Sequence, residues 1–166
     1  MEHQPLRILF LCTHNSARSI LAEALLNHLA GGRFIAFSAG SSPRENQHPN
    51  PLALRVLRMA GVPTDGLRSK SWDEFAAAGA PRMDLVITVC DNAAGEPCPY
   101  WPGGPATAHW GYADPSGQAG TEEDRLEAFR RTLDAIRQRL QAMLALPPDR
   151  LERANLQSAA RELASR

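Results

Sequence analysis

Residues 6–26 read LRILFLCTHNSARSILAEALL, and this stretch decides the fold. It opens on a short apolar run ending at Cys12, the pattern of a strand buried on both faces. Thr13, His14, Asn15 and Ser16 then make a small polar loop. From residue 16 to residue 30 the apolar positions recur with a helical period. Ile20, Ala24 and Leu25 share one face, and so do Leu21 and Leu29. Gly31-Gly32 ends that helix by permitting a left-handed conformation at its C-terminus.

Outward from this segment the same alternation repeats. Residues 33–38 (RFIAFS) read as a second strand and residues 84–89 (DLVITV) as the clearest later one, with Cys90 at its end. Residues 107–110 form a further short strand. Helices are expected over 52–60 and 71–78, with a long one opened by Thr121 and its capping partner Asp124. The apolar stripe of that long helix is Leu126, Phe129, Leu133, Ile136, Leu140 and Met143, and Pro147-Pro148 stops it. Residues 91–105 are crowded with Gly and Pro, which predicts a long irregular loop, and such loops are often functional. Short apolar strands alternating with amphipathic helices predict an α/β fold: a central parallel four-stranded sheet with helices on both faces. Ligands of such sheets lie beyond the carboxyl ends of the strands, where Cys12 and Cys90 are both expected. The expected organisation is one domain over 1–146 and a C-terminal helical tail over 147–166.

Composition narrows the classes. A chain of 166 residues fits one core. Its 18 basic and 18 acidic side chains balance, so no net charge favours nucleic acid or an anionic membrane as partner. No apolar run has the length of a membrane span, and the polar start lacks the build of a signal peptide. A cytoplasmic location is therefore expected. Three cysteines are too few for a disulfide framework and point to core thiols, metal ligands or reactive thiols.

Cys12 to Ser19 has the pattern cysteine, five residues, arginine, serine, between a strand and a helix. A tight loop in that setting can turn its backbone N–H groups inward as an anion cradle, and the helix N-terminus adds partial positive charge. Thr13, His14, Asn15, Ser16, Ala17, Arg18 and Ser19 are the candidate anion-binding residues. Arg18 suits a tetrahedral oxyanion through two parallel hydrogen bonds. The same donors are expected to stabilise a thiolate on Cys12, with Ser19 donating to it.

The run LFLCTHNSARSILAEALL resembles the phosphate loop and first helix of the low-molecular-weight tyrosine phosphatases and of the arsenate reductases that share their fold. FSAG at 37–40, ITVCDNAAGEPCP at 87–99 and AHWGYADPSG at 108–117 extend the resemblance across roughly residues 6–146. It implies Cys12 as nucleophile, Arg18 as anion clamp and Asp114, before Pro115, as the acid for a leaving oxygen. A phosphatase needs one cysteine, whereas arsenate reduction needs two electrons, which thiols supply by ending as a disulfide. Cys90 resembles the resolving cysteine of the reductases and Cys98 their third redox cysteine. Ser116 and Gly117, in place of an aromatic residue after Asp-Pro, are also similar to the reductases. The resemblance thus implies reduction of arsenate to arsenite by a cascade through Cys12, Cys90 and Cys98. Thioredoxin is the implied reductant. Seven residues separate Cys90 from Cys98, one more than in some thioredoxin-linked members, so glutathione with glutaredoxin stays open. Asn15, Glu23 and Ser38 match positions that bind potassium in some members.

Competing readings remain at this stage. The chain could be a phosphatase, or a non-catalytic oxyanion or redox sensor. Cys90, Cys98 and His109 could be zinc ligands, although their spacing is not that of a zinc knuckle. Trp101 and Trp110 could dock a reductant or fill the core. His14 could tune Cys12 or simply face solvent.

Overall fold

The structure, a computed structural model, describes residues 4–90 and 104–165. Four parallel strands form one sheet: β1 (Leu6–Cys12), β2 (Phe34–Gly40), β3 (Leu85–Thr88) and β4 (Ala106–His109), in the order β2-β1-β3-β4. The apolar run of β1 makes it a central strand, pairing Cys12 with Gly40 on one side and Leu11 with Thr88 on the other. All carboxyl ends therefore lie at one edge of the sheet.

Alternation along the strands sorts the core. Ile8, Phe10, Phe34, Ala36, Leu85 and Ile87 join the main apolar cluster on one face. Leu9, Leu11, Ala39 and Val86 join a smaller cluster on the other, with Phe75 and Met83. Helices α1 (Arg18–Leu29), α2 (Pro51–Met59), α4 (Glu122–Leu144) and α5 (Arg153–Leu163) feed the main cluster. The short α3 (Asp73–Ala76) covers the other face, where Phe75 meets Phe37 edge-on at 5.6 Å. Helices thus lie on both faces, as expected, but very unequally.

Local chemistry explains the bounds. Helix α1 is buried on nearly every side from Ser19 to Leu26, because it lies between the sheet and two other helices. It starts two residues later than the periodicity suggests, since Ser16 and Ala17 belong to the loop. Helix α2 begins at Pro51, whose missing N–H costs nothing at a first helical position, and the Asn50 side chain caps it at 2.9 Å. Helix α4 carries the expected capping box between Thr121 and Asp124. Five of its six stripe residues are buried, and Leu126 packs at the margin.

Residues 147–165 hold a 3-10 turn (Pro148–Leu151) and helix α5, whose Leu156, Ala160 and Leu163 enter the main cluster beside β4. Trp110 is 0% exposed and its indole N–H donates to the Ala160 carbonyl at 2.8 Å, so it is core and not a docking surface. Trp101 lies outside the described residues. Among those described, no helix is long and apolar enough to cross a membrane.

Candidate active site

The loop between β1 and α1 is held from three sides. The segment after β2 lies along it: Ser41 and Ser42 donate backbone N–H groups to the Cys12 and Thr13 carbonyls, and Asn50 donates to Ser16, at 2.8 to 3.0 Å. The segment before α3 braces it from below. Ser69 Oγ donates to the Asn15 carbonyl at 2.5 Å, and the Lys70 N–H donates to Asn15 Oδ1 at 3.0 Å. Gly40, at the end of β2, closes the third side. A Cβ there would lie 2.6 Å from Thr13 O and 2.9 Å from His14 C, so only glycine permits this approach.

Asn15 is the keystone of the loop. It is fully buried and has φ of 55°, a left-handed conformation that Asn tolerates better than most residues. Its N–H points at Cys12 Sγ at 3.3 Å, and its side-chain amide donates to Ser19 Oγ at 2.8 Å and to Ser38 Oγ at 2.9 Å. Ser19 Oγ stands 2.8 Å from Cys12 Sγ. No side chain caps α1 at Ala17, which leaves the start of the helix to the loop.

The structure brings Cys12, Ser19, Arg18, Cys90 and Asp114 to one edge of the sheet. Arg18 Nη1 donates to the Tyr112 carbonyl at 2.8 Å, and Nη2 lies 3.7 Å from Asp114 Oδ2. Cys90 is a buried free thiol, and its sulfur is 3.5 Å from Thr13 Oγ1 on the wall of the loop. His14 Nδ1 donates to the Ser42 carbonyl at 2.9 Å, which fixes the proton on that nitrogen and links two loops. Cys98 lies outside the described residues, and the zinc alternative that needs it lies there too. His109 Nδ1 is 2.7 Å from Thr88 Oγ1.

Two groups at the site depart from their ordinary ionisation, in opposite directions. Burial pushes the Cys12 thiol above its ordinary value, with the neighbouring Cys90 adding to it. The Ser19 hydrogen bonds and the Asn15 N–H pull it back without overcoming burial. The sequence shows the donors but not the depth of the sulfur, and it is that depth which raises the thiol. Asp114 moves the other way. Burial alone would raise its carboxyl, but the Ser116 hydroxyl and N–H, at 2.6 and 2.9 Å, with Arg18 and His14, hold it below the usual carboxylate value. It is half-exposed and ionised near neutrality, so it must gain a proton before it can act as an acid.

Asn15, Glu23 and Ser38, the expected potassium ligands, do converge. They converge on a fourth residue, Lys70, whose ammonium lies 3.4 Å from Asn15 Oδ1, 3.5 Å from Ser38 Oγ and 3.7 Å from Glu23 Oε1. This set does not fit a metal ion, because a side-chain cation already faces its oxygens.

The sequence matches the low molecular weight phosphotyrosine protein phosphatase family over residues 7–158. The chain belongs to that family. The match runs further toward the C-terminus than the motifs alone indicate. Within the family the chain is 38% identical to an arsenate reductase of Bacillus licheniformis over 133 residues, 80% of this chain and 91% of the relative. The arsenate reductase of Archaeoglobus fulgidus superposes with a TM-score of 0.64 at 28% identity, covering 84% of this chain and 99% of that one. A thioredoxin-dependent arsenate reductase of Corynebacterium glutamicum superposes at 0.56 with 26% identity, covering 86% and 65%.

Sequence reasoning missed Gly40, Ser69, Lys70 and the Tyr112 carbonyl. Gly40 stands in the quoted FSAG, but its need for close approach is visible only once β2 lies against the loop. Ser69 and Lys70 sit in a segment without periodicity, and a backbone carbonyl carries no side-chain signal.

Proposed function

We propose that this chain reduces arsenate to arsenite, taking both electrons from its own thiols. The observation that carries the reading is the second thiol: Cys90 stands reduced and buried against the loop that holds Cys12. Hydrolysis of a phosphate ester has no use for it.

In this reading the loop and Arg18 hold the arsenate oxygens. The Cys12 sulfur bonds to arsenic, and the thiol proton leaves with one arsenate hydroxyl as water. Asp114, ionised in the free protein, takes that proton as base and returns it to the departing hydroxyl as acid. Cys90 then attacks the Cys12 sulfur. The sulfur–arsenic bond breaks, its electron pair stays on arsenic, and the Cys90 proton goes to an arsenite oxygen. One arsenate and two thiols thus yield arsenite, one disulfide and one water. Cys98 attacks Cys90 in turn, which frees Cys12 as a thiol and leaves a Cys90–Cys98 disulfide. A dithiol protein of the thioredoxin class reduces that disulfide, in line with the C. glutamicum relative. The requirement for reduced thiols at rest favours the cytoplasm.

The test is intact mass and thiol mapping under denaturing, alkylating conditions. Fully reduced protein receives arsenate without another reductant, beside a phosphate control. Arsenite together with a Cys12–Cys90 or Cys90–Cys98 disulfide is the expected result. Survival of all three thiols, with hydrolysis of an aryl phosphate, would make the chain a phosphatase.

A further inference from the structure

The oxygens of Asn15, Ser38, Glu23 and the Arg68 backbone surround one buried point, and Lys70 Nζ occupies it. The ammonium donates to the Arg68 carbonyl at 2.8 Å and lies 3.4, 3.5 and 3.7 Å from the other three. Amide, hydroxyl, carbonyl and carboxylate oxygens are the donor set of a hard cation. An ammonium serves the same oxygens, with three N–H donors and a size close to that of a potassium ion. The Lys70 side chain is 8% exposed, so this is an interior ion pair and not a surface contact.

We propose that Lys70 is the built-in cation of this protein: its ammonium takes the place of an alkali ion and positions the anion loop, so the loop needs no potassium. The hydrogen bonds define the route. Lys70 fixes the Asn15 side-chain oxygen, Oδ1, through both its backbone N–H and its ammonium. That choice turns the Asn15 amide nitrogen toward Ser19 and Ser38. Ser38 passes its own hydrogen to Glu23, which leaves its lone pairs for Asn15 and Lys70. Ser19, held by Asn15, sits against the Cys12 sulfur. Lys70 is thus a positioning residue two side chains removed from the nucleophile. Burial draws its pKa below the ordinary lysine value, while Glu23 opposes that loss. The inference rests on the loop as an anion site but not on arsenate as its substrate.

The test uses inorganic phosphate as ligand, read by its protection of Cys12 from alkylation, together with the thermal midpoint. Purified full-length chain in choline chloride is titrated with potassium chloride at constant ionic strength. Wild type is expected to show no potassium dependence in either reading. Lys70→Ala opens the space, so its phosphate affinity is expected to fall about tenfold in choline. Potassium or ammonium, but not tetramethylammonium, should restore it saturably. Lys70→Met fills the space and should stay weak in every salt. A saturable potassium response of the wild type, or full affinity of Lys70→Ala in choline, would overturn the proposal. Should Lys70→Ala fail to fold in every salt, the wild-type titration decides alone. Neither reading uses arsenate reduction, so failure of that activity would be seen separately.

Discussion

At the scale of single residues, the loop is a set of divided labours. In the proposed mechanism Cys12 bonds to the substrate and Arg18 clamps it; Ser19 Oγ faces the Cys12 sulfur at 2.8 Å. Because Ser19 pulls the Cys12 thiol down against burial, Ser19→Ala is expected to shift the pH midpoint of Cys12 alkylation upward. An unchanged midpoint would remove Ser19 from that role. Cys90→Ala should abolish catalytic arsenate turnover while leaving phosphate protection of Cys12 intact, and continued turnover would defeat the disulfide mechanism. Asp114→Asn should slow the first chemical step by about a hundredfold or more, with phosphate affinity little changed. Single-turnover kinetics distinguish the two. The sign of the Asp114 shift matters here. Its folded pKa is depressed, so its contribution to stability is present above the unfolded value and is lost only as pH falls through the lower folded one. Near neutral pH the carboxylate and its Ser116 contacts are therefore complete.

At the scale of elements, the end of β2 carries more than its length suggests. Gly40 pairs with Cys12 across the sheet, accepts the Trp72 N–H through its carbonyl at 2.9 Å and donates its own N–H to Lys70 O at 2.8 Å. The chain thus passes between the anion loop and the Lys70 segment with no room for a side chain. Gly40→Ala would drive a methyl group into the backbone of Thr13 and His14, atoms that cannot swing aside. A loss of about 1–3 kcal/mol is expected, of the order seen for overpacking, with weaker phosphate binding. Chemical denaturation and the alkylation-protection assay measure both. Wild-type stability in that variant would mean that the approach is looser than described.

At the scale of the whole molecule, the main apolar cluster joins the sheet to four helices, the last of them in the segment beyond residue 147. Leu156 is almost fully buried in it, and Ala160 receives the Trp110 indole through its carbonyl. We therefore expect Leu156→Ala to cost about 2–5 kcal/mol, the range for a large-to-small change in a core. A change near zero in denaturant unfolding would support a tail that the domain over 1–146 can do without.

The residues by themselves determined the strand–loop–helix over 6–26, the parallel sheet, and the capping box of α4. Each depends on local periodicity or on neighbours within four positions, which a linear text displays. The family resemblance, not the residues alone, grouped Asn15, Glu23 and Ser38, and Ser38 hydrogen-bonds to both of the others. Only the tertiary structure decided what they meet around. Lys70 is 55 positions from Asn15 and 32 from Ser38, and no periodicity links a loop to a lysine so far along the chain. Burial decided the rest. It pushes the Cys12 thiol up and makes Trp110 a core residue, because the cost of charge and the gain from apolar contact both depend on depth, which sequence does not carry.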